Sequence, residues 1–69
     1  MIDSKQTTEN RISSMIEELK KAAEFASDAA DSARDCGWLS NSIKLDWCSH
    51  ILTDFAEKWE RMLNDHNDR

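Results

Sequence analysis

The sequence has 69 residues, no proline, one glycine, and fourteen acidic against nine basic side chains, for a formal charge of −5. So short a chain makes one domain with a thin core: it removes only about 60% of its unfolded surface from water, and a single seam between two helices supplies no more than about 3–5 kcal/mol. The negative balance repels phosphate backbones and anionic headgroups, which argues against direct nucleic-acid or membrane binding, and the apolar runs fall far short of the ~20 residues of a bilayer span.

Residues 1–7 are polar, with Asp3, Ser4 and Thr7 as alternative N-caps, so a first helix is expected from about residue 8 to about residue 35. Its apolar residues are Ile12, Met15, Ile16, Leu19, Ala22, Ala23, Ala26, Ala29, Ala30 and Ala33, spaced by three and four. At 100° per residue they fill an arc of roughly 140°. The helix is expected to end at Cys36-Gly37, where the glycine can adopt the left-handed conformation that closes a helix C-terminus. The turn spans about residues 36–40, with Ser40, Asn41 and Ser42 available as N-caps and Leu39 in the staple position.

The second helix is expected over about residues 41–64, with Leu45, Cys48, Ile51, Leu52, Phe55, Ala56, Trp59, Met62 and Leu63 on one face. From Ala22 onward the first helix offers only alanine, whereas the second offers Leu, Phe and Trp, which permits large-into-small packing. The expected fold is all-α: a single domain over 1–69 built as an antiparallel two-helix hairpin. Both apolar arcs are wider than the seam of an isolated pair, so the hairpin is expected to pair into a four-helix bundle homodimer.

Chemistry-bearing residues are scattered. Cys48 and His50 lie two apart, about 200° around a helix, which does not support a thiolate–imidazole pair. Cys36 and Cys48 are not in a C-x-x-C pair and the histidines His50 and His66 are sixteen apart, so no metal-ligand spacing is present. Cys48 reads as a small buried hydrophobe. Neither catalysis, a metal nor a cofactor is expected, and two reduced thiols suit a cytoplasmic location.

Two features point to binding. Phe25 and Trp47 lie about 110° and 100° from the centres of their apolar faces, and Trp38 stands at the turn. Counted outward from the turn, Phe25 and Trp47 come within about a helical turn of the same height at 1.5 Å per residue, so they could edge one apolar patch. Such rings serve equally to complete a homodimer core. The second feature is an acidic ridge, Glu17, Glu24, Asp28, Asp31 and Asp35, on the outer face of the first helix. Three of these carboxylates separate Lys21 from Arg34 with no cation between, and the ridge runs into a helix C-terminus where negative charge is disfavoured. Carboxylates ~5–6 Å apart imitate spaced phosphates, so a basic nucleic-acid-binding groove is a complementary partner; an ordinary solvated face is the plainer reading. The second helix's acids look matched, Asp54 with Lys58 and Glu57 with Arg61.

The segment Phe55-Ala56-Glu57-Lys58-Trp59, after a glycine–tryptophan turn between two helices, resembles the Trp-x-Gly hairpin proteins exported by type VII secretion. The resemblance covers a minority of the chain. The order here is Gly37-Trp38, the chain is short for that family, and with no tyrosine it lacks the Tyr-containing export tail. It stands as an alternative only, a structural or adaptor hairpin. The leading expectation is a small, soluble, acidic, non-catalytic protein–protein interaction protein, acting as an inhibitor of a nucleic-acid-handling complex. It would dock a partner with a basic surface through Phe25, Asp28, Asp31, Asp35, Trp38 and Trp47.

Overall fold

A chain rich in Ala, Glu, Lys, Leu and Met, with no proline to interrupt it, has little alternative to long helices. The computed structural model describes the backbone of residues 4–67 and the side chains of residues 4–65. It consists of two helices, α1 (Ser4–Asp35) and α2 (Leu39–Asn67), packed as an antiparallel hairpin with no strand among the described residues.

Both helices begin earlier than the capping residues suggest. In α1 the segment from Ser4 is already helical, and Thr8 Oγ1 donates to the Ser4 carbonyl at 2.9 Å. Asp3 lies outside the described residues. In α2 the Ser42 N–H donates to the Trp38 carbonyl at 2.9 Å, which makes Trp38 the first acceptor. Ser40, Asn41 and Ser42 are therefore inside the first turn, and Ser42 is turned inward and buried.

The turn is a Schellman closure. Gly37 has φ 83°, the Gly37 N–H donates to the Arg34 carbonyl at 3.1 Å, and the Trp38 N–H reaches back to the Ala33 carbonyl at 2.8 Å. Nothing stands within 4 Å of where a Cβ would project from Gly37. Glycine is needed there for its backbone conformation and not for space.

The helices meet along a heptad seam narrower than the arcs expected from sequence. Glu9, Ile12, Ile16, Leu19, Ala23, Ala26, Ala30 and Ala33 of α1 are buried or half-buried at alternating steps of three and four. On α2 the matching series is Ser42, Leu45, Ser49, Leu52, Ala56, Trp59 and Leu63. A 3.5-residue repeat keeps one stripe facing its neighbour along the whole length. Bulk is unevenly placed along it: α1 presents only alanine from Ala23 to the turn, whereas toward the open end Ile12 and Ile16 stand near Leu63. Small residues bring the backbones close enough for Ser49 Oγ to donate to the Ala23 carbonyl at 2.9 Å.

The small seam leaves the molecule flat. Its extents are 56 × 20 × 11 Å, one helix thick, and its radius of gyration is 16.0 Å, against about 11 Å for a compact chain of this length. The accessible surface is 5571 Å², on the order of 1,000 Å² more than the roughly 4,450 Å² of an ordinary monomer of this mass. No large side chain is fully buried among the described residues.

Candidate functional site

Two parallel cylinders leave two broad faces and two outer edges, and the helical pitch assigns each outward residue to one of them. One broad face is polar. Lys20 Nζ donates to Glu60 Oε2 at 2.7 Å across it, and Arg34 forks between Asp31 at 3.0 Å on its own helix and Asp46 at 2.9 Å on the other. The Glu60 hydrogen bond, reinforced by neighbouring carboxylates, raises the Lys20 pKa above its ordinary 10.5. These half-exposed pairs fasten the hairpin at two heights on one side only.

The opposite broad face is apolar. At about 100° per residue, Met15, Ala22 and Ala29 of α1 and Cys48, Ile51, Phe55 and Met62 of α2 all project to the side away from the ion pairs. These residues belong to the arcs expected to form the core, and the structure corrects that expectation: Met15, Ile51, Phe55 and Met62 are 36%, 38%, 47% and 42% exposed. Cys48, expected to be buried, is exposed, and so is Cys36; both are free thiols. The heptad stripe takes the inner part of each arc and leaves the remainder outside, all on one face. Charge is segregated the same way. By pitch, Glu18 and, toward the open end, Asp65 are the acidic side chains of the described residues that this face carries, with Arg11, Lys44 and Lys58 about its margin.

The expected binding aromatics flank this face. Phe25 and Trp47 are 72% and 67% exposed. Ser49 and Ala23, each two residues away, are hydrogen-bonded across the seam, so the two rings stand within a helical turn of the same height on opposite edges. Trp38, also exposed, lies at the turn, roughly 13 Å or more along the axis from both. It is not part of the same patch. Asp28, Asp31 and Asp35 are exposed on the outer and polar sides of α1. Asp28 adjoins Phe25 at (i, i+3), whereas Asp31 is engaged by Arg34. The expected pairs Asp54–Lys58 and Glu57–Arg61 do not form; their side chains stay exposed and apart.

Comparison with protein-family models, with curated proteins and with solved structures finds no match for this chain. What the protein does must be read from the faces themselves.

Sequence reasoning missed Ile43, which is 68% exposed beside Trp47 and lines an open groove with Lys44, Asp46 and His50. A signal for it exists: Leu39, Ile43, Trp47, Ile51 and Phe55 recur every four residues. A step of four advances about 40° around a helix, so this ridge winds from the ion-paired side, past the outer edge, onto the apolar face. Among the described residues no group of three or more His, Cys, Asp or Glu side chains is arranged to hold a metal ion, and no helix is long and apolar enough to cross a membrane. The side chain of His66 lies outside the described residues.

Proposed function

We propose that this chain is a non-catalytic protein–protein interaction protein. It pairs with a second hairpin into a four-helix bundle through its apolar face and offers its acidic side to a basic protein surface. The observation that carries this reading is the segregation of its surface, with the bulky apolar residues Ile51, Phe55 and Met62 on one face and most of the carboxylates on the others. Apolar surface of this extent, rimmed by charge, is the usual mark of an interaction site. Burying it in a homodimer leaves Glu17, Glu24, Asp28 and Asp35 outward, and none of these four has an ion-pair partner among the described residues.

A ridge of carboxylates at one-turn spacing suits a groove built for phosphates, so the sharpest form of the proposal is an inhibitor of a nucleic-acid-handling complex. The test reverses Asp28, Asp31 and Asp35 together to lysine and compares partner recovery from the source organism with wild type. Loss of a basic nucleic-acid-binding partner, with the dimer intact in sedimentation, is the expected result. Unchanged recovery would remove the inhibitor form and leave a structural or adaptor hairpin.

A further inference from the structure

We infer that the surface covering the apolar face is the same face of a second copy, related by a twofold axis parallel to the helices, so that both turns lie at one end and α1 packs on α2 of the other chain. The inference rests on the pairing proposed above and specifies its geometry. An isologous interface must be self-complementary, since one patch supplies both halves. This patch is unevenly divided lengthwise: α1 contributes the small Ala22 and Ala29 with Met15 toward the open end, and α2 contributes the large Ile51, Phe55 and Met62 with the smaller Cys48 toward the turn.

Only two twofold arrangements stack this face on itself. An axis across the helices sets α1 on α1 and α2 on α2, which opposes small to small and large to large and leaves gaps beside overpacked rows. An axis along the helices sets Ala22 and Ala29 of each copy beneath the bulkier α2 row of the other. Both arrangements make every neighbouring helix pair antiparallel, so the choice between them rests on which rows meet.

Three further features agree with that axis. Glu18 projects at the α1 margin of the face, and Lys58 of the second copy arrives at the same margin within about two residues, or 3 Å, of the same height. The chain's own Lys58 is too far around the hairpin to serve, and among the described residues Glu18 otherwise has only Lys21, at 3.9 Å and exposed. Phe25 likewise meets the level of Trp47 of the second copy, so two strongly exposed rings close each edge of the bundle. The acidic ridges fall on diagonally opposite corners, where the repulsion between two chains of charge −5 is least. The surplus surface, on the order of 1,000 Å² per chain, matches the roughly 800 Å² that each partner buries in a standard interface.

The native Cys36 reports the geometry directly, because it is exposed beside the turn. Spin labels on Cys36 in a Cys48→Ala background measure the separation of the two turns. With axes about 8–10 Å apart the expected dimer brings the turns within roughly 20 Å of each other, whereas the crossed arrangement separates them by nearly the 56 Å length of the hairpin. A dimer with the short separation supports the inference. A dimer with the long separation overturns it and leaves the interaction reading standing, and a monomer at ~100 µM in sedimentation overturns the pairing itself. As a second readout, Glu18→Lys should weaken the dimer about five-fold and adding Lys58→Glu should restore it, as expected for a solvent-exposed pair occurring twice. No loss with Glu18→Lys, or a loss that Lys58→Glu does not repair, counts against the register.

Discussion

The seam and the apolar face divide the chain's hydrophobic residues in an inverted way. The seam that folds the hairpin is lined near the turn by Ala23, Ala26, Ala30 and Ala33, while Met15, Ile51, Phe55 and Met62 remain partly in water on the face beside it. In a protein that finishes folding alone, bulk belongs inside and alanine can lie anywhere. Here close approach comes from small residues, and several bulky ones stay partly exposed on the face beside the seam. On the pairing proposed above, the hairpin is half of a core.

The sharpest way to break this contrast is to move bulk into the seam. Ala30 and Ala56 are fully buried, so Ala30→Leu should force the helices apart and lose about 1–3 kcal/mol in urea unfolding. Phe55→Ser tests the other side of the comparison. Because its effect passes through assembly, its cost should grow with protein concentration and vanish on dilution. An equal cost at every concentration would mean that Phe55 stabilises the hairpin by itself.

Between these extremes lies the turn. Gly37→Ala meets no atom within 4 Å yet must hold φ 83°, so it should cost about 1–2 kcal/mol, the penalty for a left-handed residue bearing a Cβ. The opposite sign is expected at the open end of the seam. Glu9 occupies a heptad position with its Oε2 buried and without a hydrogen-bond partner among the described residues, so Glu9→Leu should stabilise by about 1 kcal/mol, a rise of several degrees in Tm for a domain this small.

The smallest effect belongs to the polar face. The folded pKa of Lys20 is raised, so its contribution is present up to the ordinary lysine value of 10.5 and is lost as pH rises through the folded value. Alkaline titration of Lys20→Met should therefore lack a small loss of stability that wild type shows above pH 10.5. The pair is solvent-exposed, and the difference should also shrink in salt.

Much of the fold was legible because its signals are local. Three- and four-residue spacing names a helix wherever it occurs, and a lone glycine between two such stretches names the turn. The helix starts were less so, because Ser4, Ser40, Asn41 and Ser42 are acceptable inside a helix as well as at its cap. The division of each arc between seam and face depends on where the opposing helix lies, and no single-helix wheel contains that. Cys48 and Ile51 were consequently assigned to a core that the heptad register leaves them outside. Ile43 was overlooked because a ridge with a step of four drifts around the helix, and a fixed apolar face cannot hold it.

The most direct measurement is thermal unfolding over a hundred-fold range of protein concentration. Self-pairing across the apolar face predicts a Tm that climbs with concentration in wild type and stays flat in Phe55→Ser. A wild-type midpoint that does not move, in a protein as stable as an ordinary monomeric domain, would contradict the view that the hairpin is half of a core.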